Sequence, residues 1–226
     1  MSAKDTYHHG NLRRALLDEA LVLIAEKSVE GLSLREVASR VGVSHAAPYH
    51  HFADKTALVH ALAHEGMSLM DDQMAVAEEA AGGDPKARLL GIGMAYVIFA
   101  VDRPDYYAAM NAPEINNPEA QVDSQQPPEA QGNTWQRLLN AIVACQQTGE
   151  MPQGGPVVLG VYLWSLVHGL AELWRSGPLS LMPQAADGLE PMARQVLGAA
   201  LGSMAAVAEK DGGASWHPCT EEGPPA

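Results

Sequence analysis

The 226-residue sequence is poor in cysteine, aromatic residues and positive charge. Only Cys145 and Cys219 are present, too few and too far apart for a disulfide framework or a cysteine-based metal site, which agrees with a reducing cytoplasm. Lys and Arg number 14 against 27 Asp and Glu, so that the formal net charge is −13. Such a deficit of cations argues against nucleic acid as a partner of the chain taken as a whole.

The sequence also lacks features that point to export or to a membrane. Its first residues, MSAKDTYHHGNLRR, are polar and predict no signal peptide. The uncharged stretch 151–171 contains Pro152 and glycines, and its unbroken helical part is expected to fall short of the ~20 residues that span a bilayer. We therefore expect a buried helix there, no membrane partner and a cytoplasmic location.

Catalytic signatures are missing too. The sequence has no Gly-rich phosphate loop, no nucleophile elbow and no helix-borne metal pair such as His-Glu-x-x-His. It therefore predicts neither an enzyme nor a bound cofactor or metal. Cys145 and the nine histidines leave open a redox or metal sensor, although no paired spacing of ligands supports one.

What the sequence has in abundance is helical patterning, since Ala, Leu, Met and Glu are frequent and no alternating strand pattern appears. The predicted fold is all-α, with about nine helices at 11–28, 33–41, 44–52, 54–80, 85–102, 106–111, 134–148, 156–176 and 189–209. Residues 112–133 predict a long loop and residues 211–226 a disordered tail. The expected domains are a three-helix domain at 8–55 and a larger helical domain at 56–210.

The charge is distributed unevenly along the chain. Residues 1–60 contain seven Lys and Arg and seven Asp and Glu, together with six of the nine histidines. The whole net negative charge therefore lies in residues 61–226. The N-terminal part can still contact DNA if its cations share one face.

Residues 33–52 have the spacing of a helix-turn-helix. Ser33 and Glu36 form a capping box that opens a short helix, which Gly42 ends. Ala38 is small enough for two helices to approach each other, and Gly42, four residues later, permits a sharp turn with positive φ. The apolar contacts between the helices are expected from Val37, Val41 and Val43. This spacing favours a DNA-binding helix-turn-helix, with a plain helical hairpin as the alternative.

The helix after this turn, which Ser44 is expected to cap, carries candidate contacts to DNA. A recognition helix places its first residues at base edges, while serines at helix N-termini and nearby polar side chains bind phosphate. The candidate phosphate contacts are Ser33, Ser44, Tyr49, His50 and Lys55, and His45 and Ala46 are the first exposed positions. Capping alone is the alternative role of the serines, and packing that of Tyr49 and His50.

The run GLSLREVASRVGVSHAAPYHHFADKTAL resembles the N-terminal domain of TetR-type transcriptional regulators, whose helix-turn-helix ends in a Tyr-x-x-Phe step followed by a Lys. The resemblance covers residues 8–58. It implies the same phosphate contacts and places His45, Ala46 and Tyr49 in the base groove. Pro48 departs from the family, which usually has an aliphatic residue there. Because Pro48 lies in the first turn, we expect it to cost little hydrogen bonding while altering the helix pitch.

The rest of the chain resembles the family in its architecture. The resemblance implies a ligand pocket among the middle helices and a homodimer formed by the eighth and ninth helices of each chain. The run WSLVHGLAELW is similar to a C-terminal domain type of the family with a Trp-x-x-x-His-Gly sequence. The residues support the dimer, because the eighth helix is apolar nearly all round and the ninth carries Gly198, Ala199, Ala200 and Gly202.

The candidate pocket residues are Tyr96, Phe99, Tyr106, Tyr107, Met110, Trp135, Trp164 and His168. Core packing is the alternative for each of them. The sequence thus predicts a dimeric repressor that binds a palindromic double-stranded DNA operator and leaves it when a largely apolar small molecule binds. A redox- or metal-responsive regulator and a constitutive DNA-binding protein without a ligand are the alternatives.

Overall fold

The computed structural model describes residues 12–115, 133–179 and 181–210. Every regular element in those ranges is helical, which confirms the predicted all-α fold. The α-helices are α1 (Leu12–Lys27), α2 (Leu34–Val41), α3 (Lys55–Ala81), α4 (Pro85–Asp102), α5 (Pro104–Met110), α6 (Thr134–Gln147), α7 (Pro156–Arg175) and α8 (Leu189–Lys210). Two short 3₁₀ helices, Ala47–His50 and Pro183–Ala185, accompany them. The predicted tail, residues 8–11 and most of the predicted loop lie outside the described residues.

The chain divides into two compact units. Of the described residues, the N-terminal unit contains 12–69 and 103–115, and the C-terminal unit contains 70–102, 133–179 and 181–210. The division falls within α3, and α5 belongs to the N-terminal unit although it follows α4 in the sequence. The domain boundary that the sequence suggests, between residues 55 and 56, stays a prediction.

The core of the N-terminal unit is built on an apolar stripe of α1. Leu16, Ala20 and Leu23 are fully buried because they recur every three or four residues on one face of the helix. Val37 and Ala38 of α2 are equally inaccessible to solvent. Helix α5 packs against α1, so a segment from the middle of the chain takes part in the same core.

Helix α4 is the centre of the C-terminal unit and packs against α6, α7 and α8. Its side chains Ile92, Val97 and Phe99 are almost entirely buried. Gly93 allows α8 to come close, because a Cβ atom there would lie only 3.1 Å from Leu197 Cδ1. The apolar composition of α4, which has a single basic and a single acidic residue beyond its first turn, suits this central place.

Helix α7 agrees with its prediction in its bounds but not in its burial. It is an unbroken helix of 20 residues, and Pro156 fits in its first turn because the N–H group that proline lacks would have no helical partner there. By length and composition α7 is apolar enough to cross a membrane, and 28% of its apolar window is buried. The expectation of a buried helix is therefore wrong. Its large exposed apolar side chains are Val157, Val158, Val161, Tyr162, Trp164 and Leu173.

Candidate DNA-binding site and effector residues

Helix α2 begins and ends with the caps that its sequence predicts. The Ser33 hydroxyl accepts a hydrogen bond from the Glu36 N–H at 3.3 Å, which satisfies a free donor of the first turn. At the other end Gly42 adopts φ 79° and ψ 28°, and the Val43 N–H donates to the Ala38 carbonyl at 3.0 Å. This left-handed cap ends the helix and redirects the chain toward the next element.

The next element, residues 44–52, is named here the recognition segment. An α-helix is predicted there, but the segment forms only the 3₁₀ turn Ala47–His50, whose cap makes no side-chain hydrogen bond, so Ser44 does not cap it. Pro48 explains the difference, because its missing N–H would be the first α-helical donor to the Ser44 carbonyl. The Ala47 N–H donates to that carbonyl instead, at 3.0 Å. The prediction of an α-helix in this segment is therefore wrong.

The recognition segment has one buried side and one exposed side. Pro48 is buried and Phe52 is only 3% exposed, so these two residues anchor the segment. Tyr49 is 50% exposed. The remaining candidate contacts to DNA around the turn are also exposed, namely Ser33, Ser44, His45, Ala46 and His50. The fold thus brings these side chains to positions that DNA can reach.

Lys55 is the first residue of α3, and its charge is already engaged. Asp54 caps this helix by accepting the Ala57 N–H at 2.8 Å. The Lys55 ammonium lies 3.3 Å from the Glu30 carbonyl oxygen and 3.3 Å from Glu114 Oε1. An ammonium has three donors, so one remains for a phosphate oxygen.

Several cations of residues 12–60 are paired with neighbouring carboxylates. These ion pairs join Arg14 to Asp18 and Glu65, Lys27 to Glu36, and Arg40 to Glu19 and Glu26. Within this described range, Arg13 and Arg35 have no carboxylate partner. The Arg13 guanidinium lies 5.4 Å above the Phe52 ring, and Arg35 is exposed in the first turn of α2. Sequence reasoning missed both arginines, although the place of Arg35 just after a helix cap was a signal.

Four of the eight candidate effector residues come together in the C-terminal unit. The Tyr96 hydroxyl and His168 Nδ1 lie 2.9 Å apart, at hydrogen-bond distance. The Trp164 ring is 6.1 Å from the His168 ring and 6.4 Å from the Trp135 ring. Trp135 and Trp164 are 39% and 46% exposed, so this aromatic row runs from the interior to the surface. Phe99, at 1% exposed, belongs to the core.

The other three candidates, Tyr106, Tyr107 and Met110, lie on α5 in the N-terminal unit. The Tyr106 hydroxyl donates to Glu65 Oε1 at 2.7 Å, and burial raises the pKa of Tyr106. Tyr107 is 1% exposed. A Cβ atom at Gly66 would lie 2.9 Å from Met110 Sδ. These contacts place all three side chains in the packing of the N-terminal unit.

Two histidines of α3 were missed in the sequence. His60 and His64 lie one helical turn apart, and the Nε2 atom of each is buried and has no hydrogen-bond partner among the described residues. A buried polar atom without a partner costs ~1–3 kcal/mol, so a water molecule or a polar group of a ligand would stabilise it. Their i, i+4 spacing was the available signal.

An open cleft of about 400 Å³ lies between the end of α4 and the start of α8. Its lining residues are Ile98, Val101, Asp102, Asp187, Leu189, Glu190 and Pro191. None of the eight candidate effector residues is among them. The cleft is acidic rather than apolar, so it does not resemble the pocket that the sequence predicts.

Cys145 lies on α6 in surroundings that suppress thiol chemistry. Its side chain is 1% exposed, being part of the core, and burial raises the pKa of the thiol to about 11. The reactive thiolate is therefore rare at neutral pH. Within the ranges that the structure describes, no group of three His, Cys, Asp or Glu side chains is placed to hold a metal ion. Nothing here favours a redox- or metal-responsive regulator.

A helix-turn-helix with an exposed recognition segment, followed by a larger helical unit, defines the class of helix-turn-helix regulatory proteins. Two family models narrow this class. The model described as "Bacterial regulatory proteins, tetR family" matches residues 16–62. The model described as "Tetracyclin repressor-like, C-terminal domain" matches residues 89–197. Together they cover more than half of the chain, which belongs to the TetR family.

Individual relatives agree with this assignment. YobS, an uncharacterized HTH-type transcriptional regulator of Bacillus subtilis (strain 168), is 30% identical over 100 residues, which are 44% of this chain and 51% of that protein. The match to this curated relative thus spans about half of its length. The matching family model describes regulatory proteins, and YobS is an HTH-type transcriptional regulator, so the expectation against an enzyme holds.

Solved structures show the same fold over most of the chain. A protein with unknown function from Rhodococcus sp. RHA1 is 29% identical, with a TM-score of 0.67 over 90% of this chain and 98% of that chain. A regulatory protein of the tetR family from Rhodococcus RHA1 is 18% identical, with a TM-score of 0.66 over 84% of this chain and 95% of that chain. At the lower identity the similarity concerns the fold alone.

Proposed function

We propose that this chain is a dimeric transcriptional repressor that binds a palindromic DNA operator and is released by a largely apolar small molecule. TetR-family regulators bind DNA and small-molecule effectors and form dimers. The observation that carries the proposal is the recognition segment. Its polar side chains are exposed directly after the Gly42 turn, while Pro48 and Phe52 are buried.

The recognition segment enters the major groove and presents His45, Ala46 and Tyr49 to base edges. The phosphate contacts come from Ser33, Ser44, Tyr49, His50 and Lys55. Arg13 and Arg35 add two cations that no carboxylate of the described residues pairs with. Contacts of this kind supply affinity and register rather than sequence preference.

A second copy of the chain covers the exposed faces of α7 and α8. Val161 and Tyr162 of α7 are 47% and 52% exposed, which is unusual for the most apolar helix of a protein. On α8, Gly198 and Gly202 are exposed, and a Cβ atom at either position would meet nothing within 4 Å. Small residues allow a partner helix to approach closely, and a two-fold dimer matches a palindromic operator.

The effector binds through apolar contacts with a few polar anchors. In the C-terminal unit the anchors are the Tyr96 hydroxyl and the His168 ring, beside the exposed Trp164. In the N-terminal unit they are the buried Nε2 atoms of His60 and His64, for which the described part of the chain offers no hydrogen-bond partner. An effector releases DNA only through a difference in its affinity for the DNA-binding and the released states.

Fluorescence anisotropy with labelled duplexes from the region upstream of the protein's own gene tests DNA binding. We expect a palindromic duplex to bind, with an affinity that falls steeply as salt rises. Lys55→Gln should weaken this binding. Lys86→Gln, the same change of charge at the start of α4, serves as the control and should not. If no duplex shows salt-sensitive binding, the proposal is overturned.

Size-exclusion chromatography with light scattering tests the dimer. The wild-type chain should elute as a dimer, and Val161→Glu should convert it to a monomer because a charge cannot be buried in an apolar interface. Val76→Glu, at a 68% exposed valine of α3, is the matched control and should remain dimeric. If the wild-type chain is a monomer, or if it sediments with phosphatidylcholine vesicles, the result contradicts a dimer interface formed by α7 and α8.

Release by an effector is tested by adding a panel of small apolar compounds to the protein–DNA complex. An effector lowers the DNA affinity and raises the melting temperature of the free protein, because it binds the native state. Its effect should weaken in His168→Ala and persist in His51→Ala, an exposed histidine of the recognition segment. If compounds bind and stabilise the protein but leave its DNA affinity unchanged, this result counts against release of DNA by a ligand.

A further inference from the structure

Lys55 has an acidic neighbour from a distant part of the sequence. Its ammonium lies 3.3 Å from Glu114 Oε1, and the two side chains are 30% and 25% exposed. A partly buried pair is screened by salt less than an exposed one. The cation that the resemblance assigns to a DNA phosphate is therefore balanced, in the free protein, by a negative charge of the same chain.

Glu114 is held in place by turns that continue α5. The Ala112 N–H donates to the Ala109 carbonyl at 3.3 Å, and the Ile115 N–H donates to the Ala112 carbonyl at 3.0 Å. Since Ala109 is buried in α5, Glu114 extends from a packed helix rather than from a free arm. Its carboxylate therefore moves with α5.

We propose that Glu114 is an intramolecular counter-ion that competes with operator phosphate for Lys55 and so lowers the affinity of this protein for DNA. A phosphate oxygen that approaches Lys55 meets the Glu114 carboxylate, and the two negative charges repel each other. DNA binding must displace Glu114 or tolerate this repulsion. The inference rests on the proposed function, in which Lys55 contacts phosphate.

The same contact links α5 to DNA affinity. A shift of α5 that draws Glu114 away from Lys55 frees the cation and strengthens DNA binding, whereas a shift that presses them together weakens it. By thermodynamic linkage, a DNA phosphate that binds Lys55 also weakens the ion pair between Lys55 and Glu114. Glu114 thus gives α5 an electrostatic influence on a phosphate contact 59 residues away in the sequence.

Glu114→Gln tests the proposal because it removes the charge and keeps the size of the side chain. Anisotropy titrations of full-length variants should use the operator duplex and a scrambled duplex of equal length, since phosphate contacts act on both. We expect Glu114→Gln to bind both duplexes about two- to fivefold more tightly per subunit, the range expected for one partly exposed ion pair. The slope of log K against log salt should become steeper by up to about 0.9 per subunit.

Two comparisons separate this effect from a general change of charge. Glu79→Gln, at an exposed position of α3 24 residues after Lys55, should leave the affinity nearly unchanged. In a Lys55→Gln background, Glu114→Gln should no longer strengthen binding. Equal gains from Glu79→Gln, or a gain that persists without Lys55, overturn the counter-ion role. If Lys55→Gln weakens binding but Glu114→Gln changes nothing, this inference fails while the proposed function stands.

Discussion

The Tyr106 hydroxyl donates a 2.7 Å hydrogen bond to Glu65 Oε1, across 41 residues of sequence. The same carboxylate oxygen accepts a hydrogen bond from Arg14 at 2.5 Å. One oxygen atom therefore joins α1, α3 and α5 within the N-terminal unit. Because the bonds are partly buried, water competes for them less than at an exposed surface.

Tyr106→Phe removes this hydroxyl and keeps the ring. We expect the free energy of unfolding to fall by ~1.5–3 kcal/mol, since one hydrogen bond to a charged group is lost. In calorimetry this corresponds to a drop in Tm of roughly 3–12 °C. Tyr162→Phe, at a 52% exposed tyrosine, is the matched control and should leave Tm almost unchanged. A similar drop in both variants would remove the special role of the Tyr106 hydroxyl.

Gly42→Ala tests the turn of the helix-turn-helix. A Cβ atom at Gly42 would meet nothing within 4 Å, but φ there is +79°. The cost is therefore one of backbone conformation, ~1–2 kcal/mol. Gly83→Ala also has open space and has no positive φ, so it should be neutral or slightly stabilising. Chemical denaturation of both variants measures the difference, and equal stabilities would contradict this account.

Arg35→Gln tests one of the two arginines of residues 12–60 that have no carboxylate partner among the described residues. If Arg35 contacts a phosphate, its removal should make the slope of log K against log salt shallower by about 0.9 per subunit. The affinity should fall for every duplex sequence alike, because a phosphate contact carries no base preference. Arg103→Gln, at an exposed position beside α5, has the same change of charge and should retain the slope. A loss limited to one operator sequence would point instead to a base contact.

Cys145 should be unreactive in the native protein. Burial raises the pKa of its thiol from 9.0 to about 11, so the thiolate is ~100-fold rarer at pH 8 than for a thiol of ordinary pKa. In a Cys219→Ser background, a chromogenic disulfide reagent should label Cys145 slowly in buffer and rapidly in denaturant. Peroxide should leave DNA affinity unchanged. Fast native labelling, or a peroxide-dependent affinity, would revive the redox alternative.

The helix-turn-helix was predictable because its determinants are local. The Ser33 cap, the small Ala38 and the positive φ of Gly42 all act within ten residues of chain, and their physical effects follow from residue type and spacing. Pro48 was also a local signal, but the prediction treated it as a residue of the first helical turn. As the fourth residue after Ser44 it removes the first α-helical hydrogen bond, which a proline in the first position would not do.

Other features depend on contacts between distant parts of the chain. Residue spacing does not reveal that Lys55 meets Glu114, that Tyr106 meets Glu65, or that Tyr96 meets His168. The exposure of α7 is of the same kind, because an apolar helix looks alike in sequence whether its own chain or a second copy covers it.

By itself, then, the sequence determined the helical fold class, the helix-turn-helix and the exposed character of the recognition segment. Each of these follows from local hydrogen bonding and from the period of apolar residues. Only the tertiary structure decided that Lys55 carries a counter-ion, that α5 joins the N-terminal unit and that Cys145 is protected. Those properties arise from which side chains come together across long stretches of sequence, and burial and pairing then set their charge and reactivity.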